Sequence, residues 1–302
     1  MTPAGHLLSG YLVGEAVGAR RPVVLVVAVA AAIAPDFDVA LGLVGGWLGA
    51  SFHRGVTHSL LAALLGAGVA AALLRPRRLV FAACLGGILT HVFWDFFNFW
   101  GVQALWPWRR YLSVNLLHEG DRCATLILLV AAVLAWRGRR RAAALWLALL
   151  LPAYLAVQVW WRDHARELAR IELAGRRAAV YPTPQFTCGW IAFSASSTDL
   201  AMDCVPSPLT GRLRRVRTVP LRDDSFTRAS QRSPAVREFL EENPFPFAEE
   251  SAAADGTILV VWRDLREAHL QEPGEVPTGL HVRLDAAGNI LSEQHRWWLR
   301  VW

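Results

Sequence analysis

Six apolar stretches, residues 6–19, 22–34, 57–74, 79–100, 123–136 and 142–161, fill most of the first half of this chain. A helix needs ~20 residues to cross the ~30 Å hydrocarbon core of a bilayer, and several of these stretches approach that length. The pattern predicts an α-helical integral membrane bundle of four to six transmembrane helices over residues 1–161. The first two stretches are short and hold Glu15 and several glycines, so a tight hairpin is the alternative there to two full crossings.

Arginine clusters punctuate the stretches. Arg20 and Arg21 follow the first, Arg75, Arg77 and Arg78 the third, and Arg137, Arg139, Arg140 and Arg141 the fifth. With six spans all three clusters fall on one side, which the positive-inside rule makes cytoplasmic. The segments "APDFD", "FHRGVTH", the end of "LTHVFWDFFNFW" and "LLHEGD" then lie at the opposite face, joined by His6 at the start of the first span. Residues 101–121, with "LWPWRR", become a loop at the outer interface, where tryptophan is enriched. Arg109 and Arg110 in that loop run against the rule. The N-terminus lacks the basic, apolar, small-residue order of a cleaved signal peptide and is expected to stay on the protein.

Residues 162–302 have a different composition, rich in Asp, Glu, Arg, Ser and Pro. "VYPTPQFTCGWIAFSAS", "RLRRVRTVPL", "GTILVVWRDL" and a hairpin around "DAAGN" read as strands between turns, and "SPAVREFLEEN" as a short helix. They predict a C-terminal α+β, mostly β, soluble domain on the extracytoplasmic side. Cys84 and Cys123 sit in apolar spans as small fillers. Cys188 and Cys204 sit in the tail, where an oxidising compartment would allow a disulfide between them.

The net charge of +6 and pI of about 9.7 invite comparison with nucleic-acid binders. The basic residues of the first half flank apolar spans instead, and "RLRRVRTVP" reads as the solvated face of a strand, so no nucleic-acid partner is expected.

The ionisable groups beside the spans need a common cause, because each costs ~3 kcal/mol on insertion scales. His91 and Asp95 are four apart and share a helix face. Asp36 and Asp38 follow Pro35, which should end the second span and release both carboxylates from helix geometry. His53 and His58 flank the start of the third span. Imidazole and carboxylate donors without a neighbouring cysteine favour zinc, manganese or iron in an open site over a closed structural zinc. Singly, each motif has a plainer reading as an internal hydrogen bond, helix cap or interfacial side chain. Together they predict a divalent-metal pocket.

"GHLLSGYL", "PDFD", "HRGVTHSL", "THVFWDFFNFWG" and Asp121 near the start of the next span together resemble the YdjM-type, LexA-regulated family of membrane-bound metal-dependent hydrolases. The tail is similar to the extension of longer, YfhP-like members. The resemblance implies a multi-pass protein of the bacterial cytoplasmic (inner) membrane. It also implies a metal set of His6, Asp36, Asp38, His53, His58, His91 and Asp95, with Asp121 as a further candidate. A fainter similarity, of His58 and His91-x-x-x-Asp95, is to zinc-dependent phospholipase C. The chain lacks a convincing His-x-x-x-Glu on a later helix to complete such a cluster, which leaves the number of metals open.

The expected function is hydrolysis of a phosphoester or related bond in a membrane lipid or lipid-linked substrate by metal-activated water. Asp36 or Asp38 would bridge metals or act as general base, and His53, if not a ligand, would protonate the leaving group. Arg54 would neutralise an anionic phosphate. Two rivals use the same residues: an ion or small-molecule transporter, and a non-enzymic envelope protein with a structural metal.

Overall fold

A computed structural model describes residues 2–18, 21–38, 54–108, 110–183, 188–207, 209, 211–253, 255–268 and 279–296. The chain divides into two units, Met1–Asp163 with Tyr181–Trp190, and His164–Val180 with Ile191–Trp302.

The first unit is helical. α1 (Pro3–Gly18) and α2 (Pro22–Ile33) are followed by a 3-10 turn, Ala34–Phe37. A second 3-10 turn, Val56–His58, leads into α3 (Leu60–Leu73), α4 (Arg77–Phe97), α5 (Arg122–Trp136) and α6 (Arg140–Glu172). Apolar composition makes these helices, and their ends follow local chemistry. Pro22 sits in the first turn of α2, where its missing N–H costs nothing. Ser59 caps α3 by accepting from the Ala62 amide at 3.1 Å, and Asp121 caps α5 through the Ala124 amide at 2.7 Å.

Small residues bring the helices together. α2 packs against both α1 and α4, and α3 lies on α4. On α1 the stripe Gly10, Gly14 and Gly18 faces α2, and a Cβ at Gly10 would lie 2.7 Å from the Ala32 Cβ. This is the small-residue packing by which helices associate in lipid. Arg140 of α6 donates to buried Glu15 of α1 at 3.0 Å, and the Trp146 indole donates to the Ile127 carbonyl at 3.1 Å, joining α6 to α5.

Among the described residues two helices have the length and hydropathy to cross a membrane, Arg77–Phe97 and Arg140–Glu172, and shorter apolar helices cover Pro22–Phe37, Leu60–Leu73 and Arg122–Trp136. Half of the apolar stretch of α4 is buried within the protein but only 6 % of that of α6 is. Leu61, Leu64, Leu65, Val69 and Leu73 of α3 and Leu145, Leu149 and Val157 of α6 are likewise exposed. Apolar surface on that scale marks a region made for lipid or a partner rather than water.

The second unit carries two four-stranded sheets, ordered β1-β2-β3-β4 and β5-β6-β7-β8. The strands are β1 (Arg177–Pro182), β2 (Trp190–Ala195), β3 (Asp199–Val205), β4 (Arg214–Pro220), β5 (Pro246–Ala252), β6 (Ile258–Asp264), β7 (Gly279–Leu284) and β8 (Ile290–Arg296). The second sheet is antiparallel throughout. Val260, Trp262, Val282 and Leu284 form its core with Ala229 and Val236 of two short helices, α7 (Ser225–Ser230) and α8 (Pro234–Glu242). Cys188 and Cys204 are disulfide-bonded, whereas Cys84 and Cys123 are thiols.

Arg176 clamps Asp199 with two guanidinium nitrogens, at 2.9 and 3.1 Å. That bond, helped by Ser196, draws the carboxyl down to about 2 from its ordinary 3.8. A depressed carboxyl stabilises the folded state above its unfolded value and loses that contribution as pH falls through the folded one. The stability gap between the native protein and Asp199→Asn should therefore be constant above about pH 5 and close toward pH 2. Urea midpoints measured across that range check it; a gap independent of pH would remove the clamp from the account.

Candidate metal centre

The proline at 35 shapes one wall of the site. It has no N–H to give to the preceding turn, the helix tightens into the 3-10 segment, and the carbonyl of Ala32 accepts from a side chain instead: His91 Nδ1 lies 2.8 Å away. Asp36 and Asp38 sit in and just after that turn. The second wall is the turn before α3. Arg54 adopts φ +63°, a left-handed conformation that costs a non-glycine residue ~1 kcal/mol or more, and the following 3-10 turn ends on His58. The third wall is α4, whose i, i+4 spacing puts His91 and Asp95 side by side.

Asp36, His58, His91 and Asp95 each offer one donor atom, all within 4.8 Å of one another. The two imidazole Nε2 atoms are 3.0 Å apart. Asp36 Oδ1 lies 3.4 Å from His91 Nε2 and 3.7 Å from that of His58, and Asp95 Oδ2 lies 3.6 Å from each. A tetrahedral ion with bonds of ~2.0–2.1 Å requires donors ~3.3–3.4 Å apart. The five separations that involve an imidazole bracket that figure, and the two carboxylate oxygens are farther from each other, within 4.8 Å.

The tautomers agree with the distances. His91 Nδ1 donates to Ala32, and His58 Nδ1 lies 3.0 Å from Thr57 Oγ1 and 3.5 Å from Asp38 Oδ2. Each ring is thus held by its outer nitrogen and turns Nε2 to the same point, the arrangement that orients metal-binding histidines. Two such lone pairs 3.0 Å apart repel unless a cation lies among them. The charge balance points the same way: among the described residues Asp95 and Glu119 lie beside Arg54 and Asp36 and Asp38 beside His58, four carboxylates to one guanidinium. The donor set fits a divalent ion.

The remaining candidates lie around this group. The His6 ring stacks on His91 at 3.9 Å, with Nε2 3.6 Å from Asp95 Oδ1. It is fully buried, and neither ring nitrogen has a hydrogen-bond partner among the described residues. Asp38 is placed behind His58 and accepts from Thr57 Oγ1 at 2.5 Å. Arg54 Nη2 lies 3.8 Å from Asp95 Oδ2 and 3.6 Å from Glu119 Oε2. Asp121 is outside the gathered set: its carboxylate accepts from the Ala124 amide and from the Tyr154 hydroxyl at 2.6 Å. His118 Nδ1 accepts from the Gly120 amide. His53 lies outside the described residues. Sequence reasoning named neither Thr57 nor Glu119, although Glu119, an acid beside His118 and Asp121 in "HEGD", carried a signal.

These features define a helical protein suited to a membrane, whose helix ends converge on a His/Asp group able to hold a metal ion. The chain belongs to the YdjM inner membrane protein family, whose family model matches residues 1–165. No curated protein and no solved structure matches it.

Proposed function

We propose that the protein is a metal-dependent hydrolase of the bacterial inner membrane, acting on a phosphoester or related bond of a membrane-associated substrate. The carrying observation is the convergence of two Nε2 atoms and two carboxylate oxygens within 4.8 Å of one another, with each carboxylate 3.4–3.7 Å from the imidazoles. Zinc suits this donor set best, with manganese or iron as alternatives. A divalent ion held there supplies Lewis acidity and makes hydroxide accessible near neutral pH.

The chain's own residues divide the other tasks. Asp36, with its side chain 31 % exposed, is the member of the four open to an incoming molecule; with His58, His91 and Asp95 as ligands the fourth position is left to water, and Asp36 is assigned to take its proton. Asp38, almost fully buried, orients His58. Arg54 binds the substrate's negative charge. The assignment of His53 as proton donor rests on its place in "HRG". Around the site Phe37 is 69 % exposed, and Leu60 and Phe93 are also open. Apolar side chains flanking a polar pocket suit a lipid or lipid-linked substrate.

The six-span topology, with the cluster at the outer face and the β-rich domain outside the cytoplasm, is part of the same proposal. The Glu15–Arg140 pair supports it. Their α-carbons sit near the ends of α1 and α6 assigned to the cytoplasm, whereas His6, near the other end of α1, joins the cluster.

In detergent, the metal-loaded protein should hydrolyse bis(p-nitrophenyl) phosphate, with the rate falling at least ~10²-fold on chelation and returning with zinc or manganese. Turnover equal to that of Asp95→Ala would leave a metal scaffold in place of an enzyme.

A further inference from the structure

We propose that Glu119 is an internal stand-in for the substrate's anion, a carboxylate that a phosphate group displaces from Arg54. The inference rests on the hydrolase reading above and extends it to the substrate's chemistry.

Arg54 is held in place by its backbone and by burial. Its carbonyl accepts from the Gln103 amide at 2.9 Å, its backbone is left-handed, and its side chain is 10 % exposed. The guanidinium head is nevertheless underused. Nη2 has its carboxylate neighbours at 3.6 and 3.8 Å, beyond the ~3.2 Å of a good N–H···O bond, and Nη1 is buried with no hydrogen-bond partner among the described residues. A buried guanidinium ordinarily engages two oxygens in a fork. Here the fork is present, and among the described residues no second oxygen meets it.

The two neighbouring carboxylates are unequal. Asp95 is 1 % exposed and committed to His58, His91 and His6. The Glu119 side chain is 42 % exposed and belongs to the loop between α4 and α5, so rotation about its own bonds carries it to water. A phosphate entering along that route presents two oxygens to Nη1 and Nη2 and carries at least the charge that leaves. The pocket therefore selects a phosphate, either free or as a lipid headgroup, and Glu119 sets a threshold that neutral ligands do not pass.

The test is calorimetric titration of the zinc-loaded full-length protein in detergent with inorganic phosphate, and separately with short-chain phosphatidic acid, alongside a zinc assay of every variant. Glu119→Gln and Glu119→Ala should each bind phosphate about 10-fold more tightly than the native protein, about 1.4 kcal/mol. Arg54→Gln should bind it at least 10-fold more weakly, and all three should keep their zinc. A purely structural Glu119 would give weaker binding, most of all in the alanine variant. Equal or weaker binding of both inorganic phosphate and phosphatidic acid by zinc-replete Glu119→Gln overturns the displacement proposal, whereas native protein that holds no zinc overturns the hydrolase reading beneath it. Tightening seen with phosphatidic acid but not with inorganic phosphate assigns the slot to a lipid headgroup; the reverse assigns it to the free ion.

Discussion

Asp95→Ala and His91→Ala protein, purified in detergent, should carry almost no metal, while Asp38→Asn keeps the site at reduced affinity. Removing Asp95 deletes the carboxylate that lies 3.6 Å from both imidazole Nε2 atoms and leaves His6 and Arg54 without their buried partner. Removing His91 deletes one of the two facing nitrogens. Asp38 acts through the His58 ring, and losses of such orienting groups cost ~10- to 100-fold in metal affinity. The ordering is the diagnostic result: Asp38→Asn retains metal when free zinc is supplied in excess and the other two do not. Elemental analysis of the purified variants measures it. Native metal content in Asp95→Ala would place any bound ion elsewhere.

A second large effect is expected from a residue that touches no metal donor. A Cβ on Gly87 would lie 2.5 Å from the Ala28 carbonyl oxygen, 2.9 Å from the Ala31 Cβ and 3.1 Å from the Ala32 amide nitrogen. Two of these are backbone atoms of α2 and cannot rotate away, so Gly87→Leu must push α2 and α4 apart. Overpacking of this kind costs ~1–3 kcal/mol. It also separates Asp36 and the Ala32 carbonyl, both on the α2 side, from His91 on α4. Lower thermal stability and metal loss should therefore appear together. Gly68→Ala on α3, where an added Cβ meets nothing within 4 Å, is the matched control. Wild-type metal content in a folded Gly87→Leu protein would show that the spacing of these two helices does not hold the centre together.

Much of the site could be read before any coordinates because its rules are local. Proline ends a helix, so "APDFD" had to release its carboxylates; four residues make a helical turn, so His91 and Asp95 had to share a face. The distinction between Asp36 within the donor cluster and Asp38 behind His58 was beyond the same reasoning, since it depends on how the turn ending at Phe37 meets the turn before α3. Asp121 was read as a candidate ligand, and its carboxylate caps α5 and bonds to Tyr154, a partner 33 residues away that no spacing rule reveals. The helix boundaries followed hydropathy, except that α6 continues to Glu172 through "RDHARELARIE", where the end of the apolar run at 161 looked like the end of the helix. In the second unit, β3 and β5 went unread. β3, "DLAMDCV", is buried along nearly its whole length and so lacks the alternation that marks a half-exposed strand.

The bond from His91 to the Ala32 carbonyl has a consequence for how this centre can vary. The acceptor is a main-chain oxygen, so every amino acid at position 32 supplies it, and a residue-by-residue alanine survey would pass over it in silence. Only a change in chain path can withdraw it. The vulnerable position for that ring's orientation is therefore Pro35, three residues further on, where any replacement restores an amide hydrogen that competes for the helix-end carbonyls.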